Sequence, residues 1–146
     1  MKKGKLIVLV SALAITSASA AILSAQHSSS PIKASADGEI HVGSWSALND
    51  AIDDAGDGAT IVLDADITSS GGKNDRIKIN KKDNLTIDLN GHTVDRALTD
   101  DHSNGHAFEI SGSSSVTIKS TGEKGLVKGG YAEHGGAVNI HDGSTA

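Results

Sequence analysis

The apolar residues of this chain follow two different spacings along its length. Between residues 44 and 56 they recur every three or four positions, at Trp45, Leu48, Ala51, Ile52 and Ala55. This spacing is typical of an amphipathic helix with one buried face. Ser44 or Ser46 can cap its start, and Gly56 is expected to take the left-handed conformation just after its end. We therefore predict one short helix here.

After residue 58 the pattern changes to short runs rich in Ile, Val, Leu and Thr, which are separated by Gly, Asn and Asp. Such runs suit strands and such separators suit tight turns. The predicted strands are 60–63, 76–79, 85–89, 93–94, 107–110, 115–119, 126–127 and 137–140.

The predicted strands repeat at a regular interval. Residues 77–87 align with residues 108–118 at an offset of 31 without a gap, and a third copy follows at an offset of 30. Ile79, Ile110 and Ile140 fall in one column of this alignment. A period of about 30 residues with three short strands is typical of a parallel β-solenoid. An antiparallel sandwich also has short strands, but it does not require a gap-free repeat.

A solenoid also accounts for the unusual composition. Its interior is narrow and filled by stacked Ile, Val and Leu, and the chain has only three aromatic residues, Trp45, Phe108 and Tyr131. Its corners need positive φ, which the 17 glycines and the Asn-Gly pairs supply. In the third copy, Ile140 is followed by residues 141–146, and the chain stops where the next strand is due. We therefore expect residues 59–146 to be about three coils, truncated at the C-terminus, and the open last coil to self-associate.

The N-terminus has a different character. Residues 1–36 contain four lysines and no acidic residue, and Lys2, Lys3 and Lys5 precede an apolar run over residues 6–13. This pattern predicts a secretory signal peptide, with an uncleaved membrane anchor as the alternative. Small-x-small cleavage sites lie at residues 18–20 and 34–36, and we favour a mature start at Asp37. Residues 37–58 then form the segment with the capping helix, and the protein is secreted or displayed at the cell surface.

Charge and cysteine content exclude several classes of function. The whole chain carries a net charge of −5, and residues 37–146 carry −9 because four of the 13 basic residues lie before residue 37. Without a basic cluster, nucleic acid is not an expected partner. Without cysteine there is no disulfide framework, thiolate metal site or thiol nucleophile.

Three stretches resemble a known group of proteins: SALNDAI at 46–52, GATIVL at 58–63 and LTIDLNGHTV at 85–94. They are similar to the opening of right-handed parallel β-helix proteins, the pectate-lyase-like group that includes many bacterial surface proteins and adhesins. The resemblance covers about residues 40–146. It implies an all-β, right-handed, single-stranded parallel β-helix whose N-terminal helix plugs the interior. It does not define an activity, because lyases, hydrolases, epimerases and adhesins share this architecture.

Two short matches to polygalacturonases do not add up to a catalytic site. Arg76-Ile77-Lys78 and Asp100-Asp101 are similar to two motifs of that family, but their order is reversed and Gly-His-Gly is absent. Residue 77 also falls in a core-facing strand. No complete catalytic motif is present, so we assign no catalytic residue and no cofactor.

The longest loop between aligned strands, residues 95–106, carries the candidate site. The equivalent loops, 69–75 and 128–135, are expected to project on the same side. Asp100 and Asp101 offer oxygen ligands for Ca²⁺, and His102, His106 and His134 suit a transition metal. The alternative is a solvated loop without chemistry. The expected ligand-facing residues are Asp95, Arg96, Tyr131 and Glu133.

Two classes of function remain open. The first is a secreted or cell-surface, adhesin-like structural protein whose loops meet an extracellular polysaccharide or a host or cell-surface protein. The second is the N-terminal part of a secreted lyase or glycoside hydrolase that acts on acidic polysaccharide. We favour the first, because no complete catalytic motif is present.

Overall fold

The structure, a computed structural model, describes residues 38–146 in full and the backbone of residues 33–34. The predicted signal peptide lies outside the described residues except for that two-residue strand. The elements of the described part are β1 (Lys33–Ala34), β2 (Ile40–Val42), α1 (Trp45–Asp54), β3 (Thr60–Leu63), β4 (Ile67–Thr68), β5 (Ile77–Asn80), β6 (Leu85–Asp88), β7 (Thr93–Asp95), β8 (Phe108–Ser111), β9 (Val116–Lys119), β10 (Leu126–Lys128) and β11 (Val138–Ile140).

These strands form three sheets. The first has the order β1-β2-β3-β6-β9, the second β10-β7-β4 and the third β11-β8-β5. Within them, β1 pairs with β2 in antiparallel fashion and all other neighbouring strands are parallel. From β3 onward the chain visits the first, second and third sheet in turn, three times. The expected all-β parallel organisation with one short helix is thus confirmed.

The strand register confirms the alignment made from the sequence. Ile79 lies opposite Ile110, and Leu85 lies opposite Val116, which is the offset of 31. Ile140 lies opposite Ile110 at the offset of 30, so the predicted isoleucine column is present. Ile110 has a neighbouring strand on each side and is fully buried, whereas Ile140 on the outer strand β11 is 43% exposed.

Helix α1 covers one end of the core. It packs against β2, β3 and β5, and Trp45, Leu48 and Ile52 are buried. The Ser44 Oγ accepts a hydrogen bond from the Ala47 N–H at 3.2 Å, which confirms the predicted N-cap. Within residues 38–146 the structure contains no helix with the length and hydropathy that are needed to span a lipid bilayer.

The C-terminal end of α1 differs from our expectation. Gly56 does not take a left-handed conformation; the left-handed glycine is Gly58, with a φ of 76°. A lysine from a distant turn satisfies the last carbonyls instead: Lys82 Nζ donates to the oxygens of Asp53 at 2.9 Å and Ala55 at 2.8 Å. Because this ammonium group caps the helix, no left-handed turn is needed directly at its end.

The corners between strands have the expected backbone. Asn90 and Gly91 both have positive φ, 47° and 84°. The residues that follow the third-sheet strands at equivalent positions, Lys81, Gly112 and Asp142, also have positive φ, between 53° and 68°. One corner geometry therefore recurs in all three rounds of the chain, although glycine occupies it only once.

Candidate functional site

The three loops that connect the second sheet to the third lie against one another. Asn104 Nδ2 donates to Asn74 Oδ1 at 3.2 Å, which joins the second loop to the first. The His102 N–H donates to the Tyr131 carbonyl at 3.0 Å, and the Tyr131 N–H donates to the Gly105 carbonyl at 2.9 Å. The expected adjacency of residues 69–75, 95–106 and 128–135 is confirmed. We call these three segments the loop stack.

Glycine permits the close approach within the loop stack. A Cβ atom at Gly105 would overlap the carbonyl oxygen of Tyr131, and one at Gly130 would overlap the carbonyl oxygen of Gly136. The main chains of the second and third loops therefore touch directly. This contact gives the loops the same close stacking as the strands that precede them.

The candidate metal ligands are not gathered into one group. Asp100, Asp101 and His134 are exposed, His102 is half-buried, and His106 is buried. Within residues 38–146, no three His, Asp or Glu side chains come close enough together to hold a metal ion. The five candidate ligands therefore do not form a cluster of side chains in the described structure.

Arg96 does not face outward, and its expected role as a ligand-facing residue is wrong. After β7 the alternation of side chains continues, so Val94 and Arg96 point inward and Asp95 outward; Arg96 is 0% exposed. Its Nη1 donates to Ser69 Oγ at 2.8 Å and its Nη2 to the Gly72 carbonyl at 2.6 Å. Burial lowers the pKa of Arg96, and the negative charge of Asp75 acts against this effect. The guanidinium therefore holds the first loop from the inside.

His106 is buried in the same region. It is 2% exposed, and neither ring nitrogen has a hydrogen-bond partner in the described structure. Burial lowers its pKa, and Arg76 and Arg96 act in the same direction, while Glu109 opposes them. We expect a neutral imidazole that solvent does not reach.

Asp95 is committed to contacts within the fold. One of its carboxylate oxygens accepts from the Ala97 N–H at 2.8 Å, and the other lies 3.1 Å from Lys128 Nζ. The bond from Ala97 and the charge of Lys128 lower the pKa of Asp95. Tyr131 and Glu133, in contrast, are exposed, with Tyr131 54% exposed. Of the four expected ligand-facing residues, these two project freely into solvent.

Asp88, which the sequence pattern did not mark as a candidate, is a buried carboxylate that is only 3% exposed. Its carboxylate accepts from the Thr121 N–H and hydroxyl at 2.8 and 2.7 Å and from the Asn90 N–H at 2.9 Å. Burial alone would raise the pKa of Asp88, but these bonds and Lys119 lower it. The signal in the sequence is an Asp that ends a mostly apolar strand, two residues before Asn90-Gly91.

An open cleft of about 410 Å³, which the sequence did not predict, lies between the start of α1 and the end of β4 with the segment that follows it. Asp75 Oδ2 accepts there from both the N–H and the hydroxyl of Ser70, each at 2.8 Å. The available signal was the run Thr68-Ser69-Ser70 at the end of a strand. The lining residues are Ser44, Trp45, Ser46, Thr68, Ser69, Ser70 and Asp75.

Comparison with known proteins does not place the chain in a class. No protein-family model, no curated protein and no solved structure matches it. The resemblance to pectate-lyase-like proteins therefore stays a prediction.

Proposed function

We propose that the three sheets close into a right-handed parallel β-helix of the pectate-lyase-like type. Three observations support this: the strands recur in the same order through the sheets, nearly all pairs are parallel, and the register repeats at about 30 residues. Inward-facing residues of all three sheets also belong to one apolar core, which α1 covers at one end.

We propose further that the protein is a secreted or cell-surface structural protein, adhesin-like, that presents the loop stack to an extracellular polysaccharide or protein. The observation that carries the proposal is that some residues of the loop stack are buried or bonded within the fold while others are exposed. Arg96, His106 and Asp95 are committed to the interior or to neighbouring coils, whereas Tyr131 and Glu133 face solvent. Surface loops held by a rigid scaffold commonly carry binding functions.

A binding screen with the full chain tests this proposal. Purified protein is applied to arrays of polysaccharides and extracellular matrix proteins, and hits are measured by surface plasmon resonance. We expect Tyr131→Ala to weaken binding at least tenfold, because an exposed aromatic side chain contributes strongly to an interface. Glu133→Gln is compared with Glu123→Gln, an exposed glutamate outside the loop stack. Binding that none of the loop variants changes, or no binding at all, would overturn the proposal.

Export is tested separately. The chain, with residues 1–36 in place, is expressed in a secreting host, and the mass of the protein in the medium is measured intact. A mass that corresponds to a start at Asp37 is expected. Retention of residues 1–36 in most molecules would contradict the predicted cleavage.

A further inference from the structure

The cleft at the start of α1 is lined mostly by residues with hydroxyl groups, and its lining contains no Lys, Arg or His. Five of its seven lining residues carry hydroxyl groups, one is Trp45, and one is a carboxylate. Its volume of about 410 Å³ lies within the range of small-molecule sites, roughly 300–1,000 Å³. A lining of this kind offers many hydrogen-bonding groups and one negative charge.

Asp75 is held in a fixed orientation within the cleft. Both hydrogen bonds from Ser70 go to Oδ2, so Oδ1 is the oxygen left to accept from a ligand. The Asp75 N–H donates to the Gly72 carbonyl at 3.0 Å, which fixes the backbone as well. A carboxylate oxygen is a strong acceptor for hydroxyl donors, and fixing it in advance lowers the entropic cost of binding.

The floor of the cleft is equally rigid. Ser69 Oγ donates to the Arg96 carbonyl at 2.6 Å and accepts from Arg96 Nη1 and from the Gly71 N–H. Its hydrogen-bonding capacity is thus used within the fold. Thr68 and Ser46 are exposed. The Ser46 hydroxyl lies 3.3 Å from the Ser44 hydroxyl, and both Thr68 and Ser46 have further hydrogen-bonding capacity that a ligand can use. The cleft combines a fixed acceptor with hydroxyl groups that both donate and accept.

We propose that this cleft binds a neutral sugar residue of an extracellular polysaccharide. Neighbouring hydroxyls of a sugar ring match the Asp75 carboxylate and the Thr68 and Ser46 hydroxyls, whereas the carboxylate of a uronic acid would be repelled by Asp75. The inference rests on the proposed function, since the cleft opens at the first loop of the stack. At the cleft, the expected partner is therefore a neutral glycan and not any polysaccharide.

The fluorescence of Trp45 can report binding, because Trp45 is the one tryptophan of the chain and it lines the cleft. The full chain is titrated with cellobiose, maltose, lactose, chitobiose and digalacturonate while tryptophan emission is recorded. We expect a saturable change with at least one neutral disaccharide and none with digalacturonate. No saturable change with any neutral sugar, or a response to digalacturonate alone, overturns the inference.

Variants locate the response. Asp75→Asn should weaken sugar binding at least tenfold, and Thr68→Val should weaken it several-fold. If circular dichroism shows that Asp75→Asn is unfolded, Thr68→Val provides the test. Asp57→Asn, at an exposed acidic residue away from the cleft, should leave binding unchanged. An undiminished response in folded Asp75→Asn or Thr68→Val contradicts the assignment.

The loop variant separates this inference from the proposed function. Tyr131→Ala should not alter the tryptophan response, because Tyr131 does not line the cleft. If a partner depends on Tyr131 while no sugar changes the tryptophan emission, only the inference fails. If the cleft binds a neutral sugar and no partner depends on Tyr131, the proposed role of the exposed loops fails and the inference stands.

Discussion

Equivalent apolar side chains differ in burial between the strands β7 and β8 and the strands β10 and β11 that pair with them. Ile110 and Ile140 occupy one column, yet the first is 0% exposed and the second 43%. In the second sheet, Val94 is fully buried and Val127, directly beside it, is only partly buried. The difference lies in the neighbours: β7 and β8 have a strand on both sides, whereas β10 and β11 are the outer strands of their sheets in the described structure. Burial in such a stack thus depends on coverage from both sides.

The largest test of this comparison is the same substitution in both rounds. Ile110→Asp buries a carboxylate without a partner and should lower the free energy of unfolding by more than about 4 kcal/mol. Ile140→Asp can turn its carboxylate toward solvent and should cost about 1–2 kcal/mol. Urea denaturation followed by circular dichroism measures both. Equal losses at the two positions would contradict the difference in coverage.

The second test concerns the close contact of the loops. Gly105→Ala places a Cβ against the Tyr131 carbonyl, so one of the two main chains has to move. We expect a loss of about 2–3 kcal/mol, as in other cases of overpacking. The matched change Gly56→Ala has open space around it and no left-handed backbone. It should shift the free energy of unfolding by less than about 1 kcal/mol. A similar loss at both positions would contradict the claim that close main-chain contact makes a side chain costly at Gly105.

The sequence predicted those parts of the fold that depend on periodicity. The helix follows from a spacing of three to four residues between apolar positions, and the strands follow from a spacing of two. The register follows from the repeat of about 30 residues, and all three spacings are visible in the amino-acid sequence. The inward alternation also explains why the isoleucine column could be found. Periodicity predicts less at the strand ends, where we expected Arg96 to be a surface residue. The alternation in fact continues one residue beyond β7, and the covered interior accepts a hydrogen-bonded guanidinium.

The candidate site was less predictable because its contacts join distant parts of the chain. The cleft combines Ser44 with Asp75, and the cap of α1 comes from Lys82. No local pattern shows that these residues meet, since their positions depend on how α1 lies against the sheets. The stacking of the loops was predictable because it follows the strand register, but which of their side chains face solvent was not.

The third test uses pH. Since burial holds the pKa of His106 below its ordinary value, the unfolded chain binds a proton at higher pH than the folded chain. Above about pH 6.5 the imidazole is neutral in both states, and the free energy of unfolding carries no penalty from His106. As the pH falls below that value, protonation of the unfolded chain lowers the free energy of unfolding. For one proton the slope is at most about 1.4 kcal/mol per pH unit. Thermal melts between pH 8 and pH 5 measure the effect.

Its control variants isolate the buried imidazole. His106→Leu should flatten the stability profile between pH 7 and pH 5, whereas His134→Gln, at an exposed histidine of the third loop, should leave it unchanged. The charged and titratable groups that act on His106, namely Glu109, Arg76, Arg96 and His141, stay in place in both variants. An identical slope in wild type and His106→Leu would show that another group is responsible.

The fourth test probes the covered end of the core. Lys82→Met removes the ammonium group that donates to the two carbonyls at the end of α1, and we expect a loss of about 1 kcal/mol. Lys81→Met is the matched change, because Lys81 is the exposed neighbour and makes no such bond to α1 in the described structure. Chemical denaturation of both variants provides the comparison. Equal effects would mean that the lysine cap does not hold the helix.

The smallest effect is expected at a corner that packing does not determine. Ser113 is exposed, has a φ of 62°, and its hydroxyl makes only a long contact of 3.5 Å with the Asp142 carbonyl. Ser113→Ala should therefore change the free energy of unfolding by less than about 0.5 kcal/mol. Ser113→Gly should increase it by up to about 1 kcal/mol, because glycine adopts a positive φ without steric cost. Matched urea curves separate the two, and a loss above 1 kcal/mol in Ser113→Ala would mean that this corner bears on the core as strongly as the covered strands do.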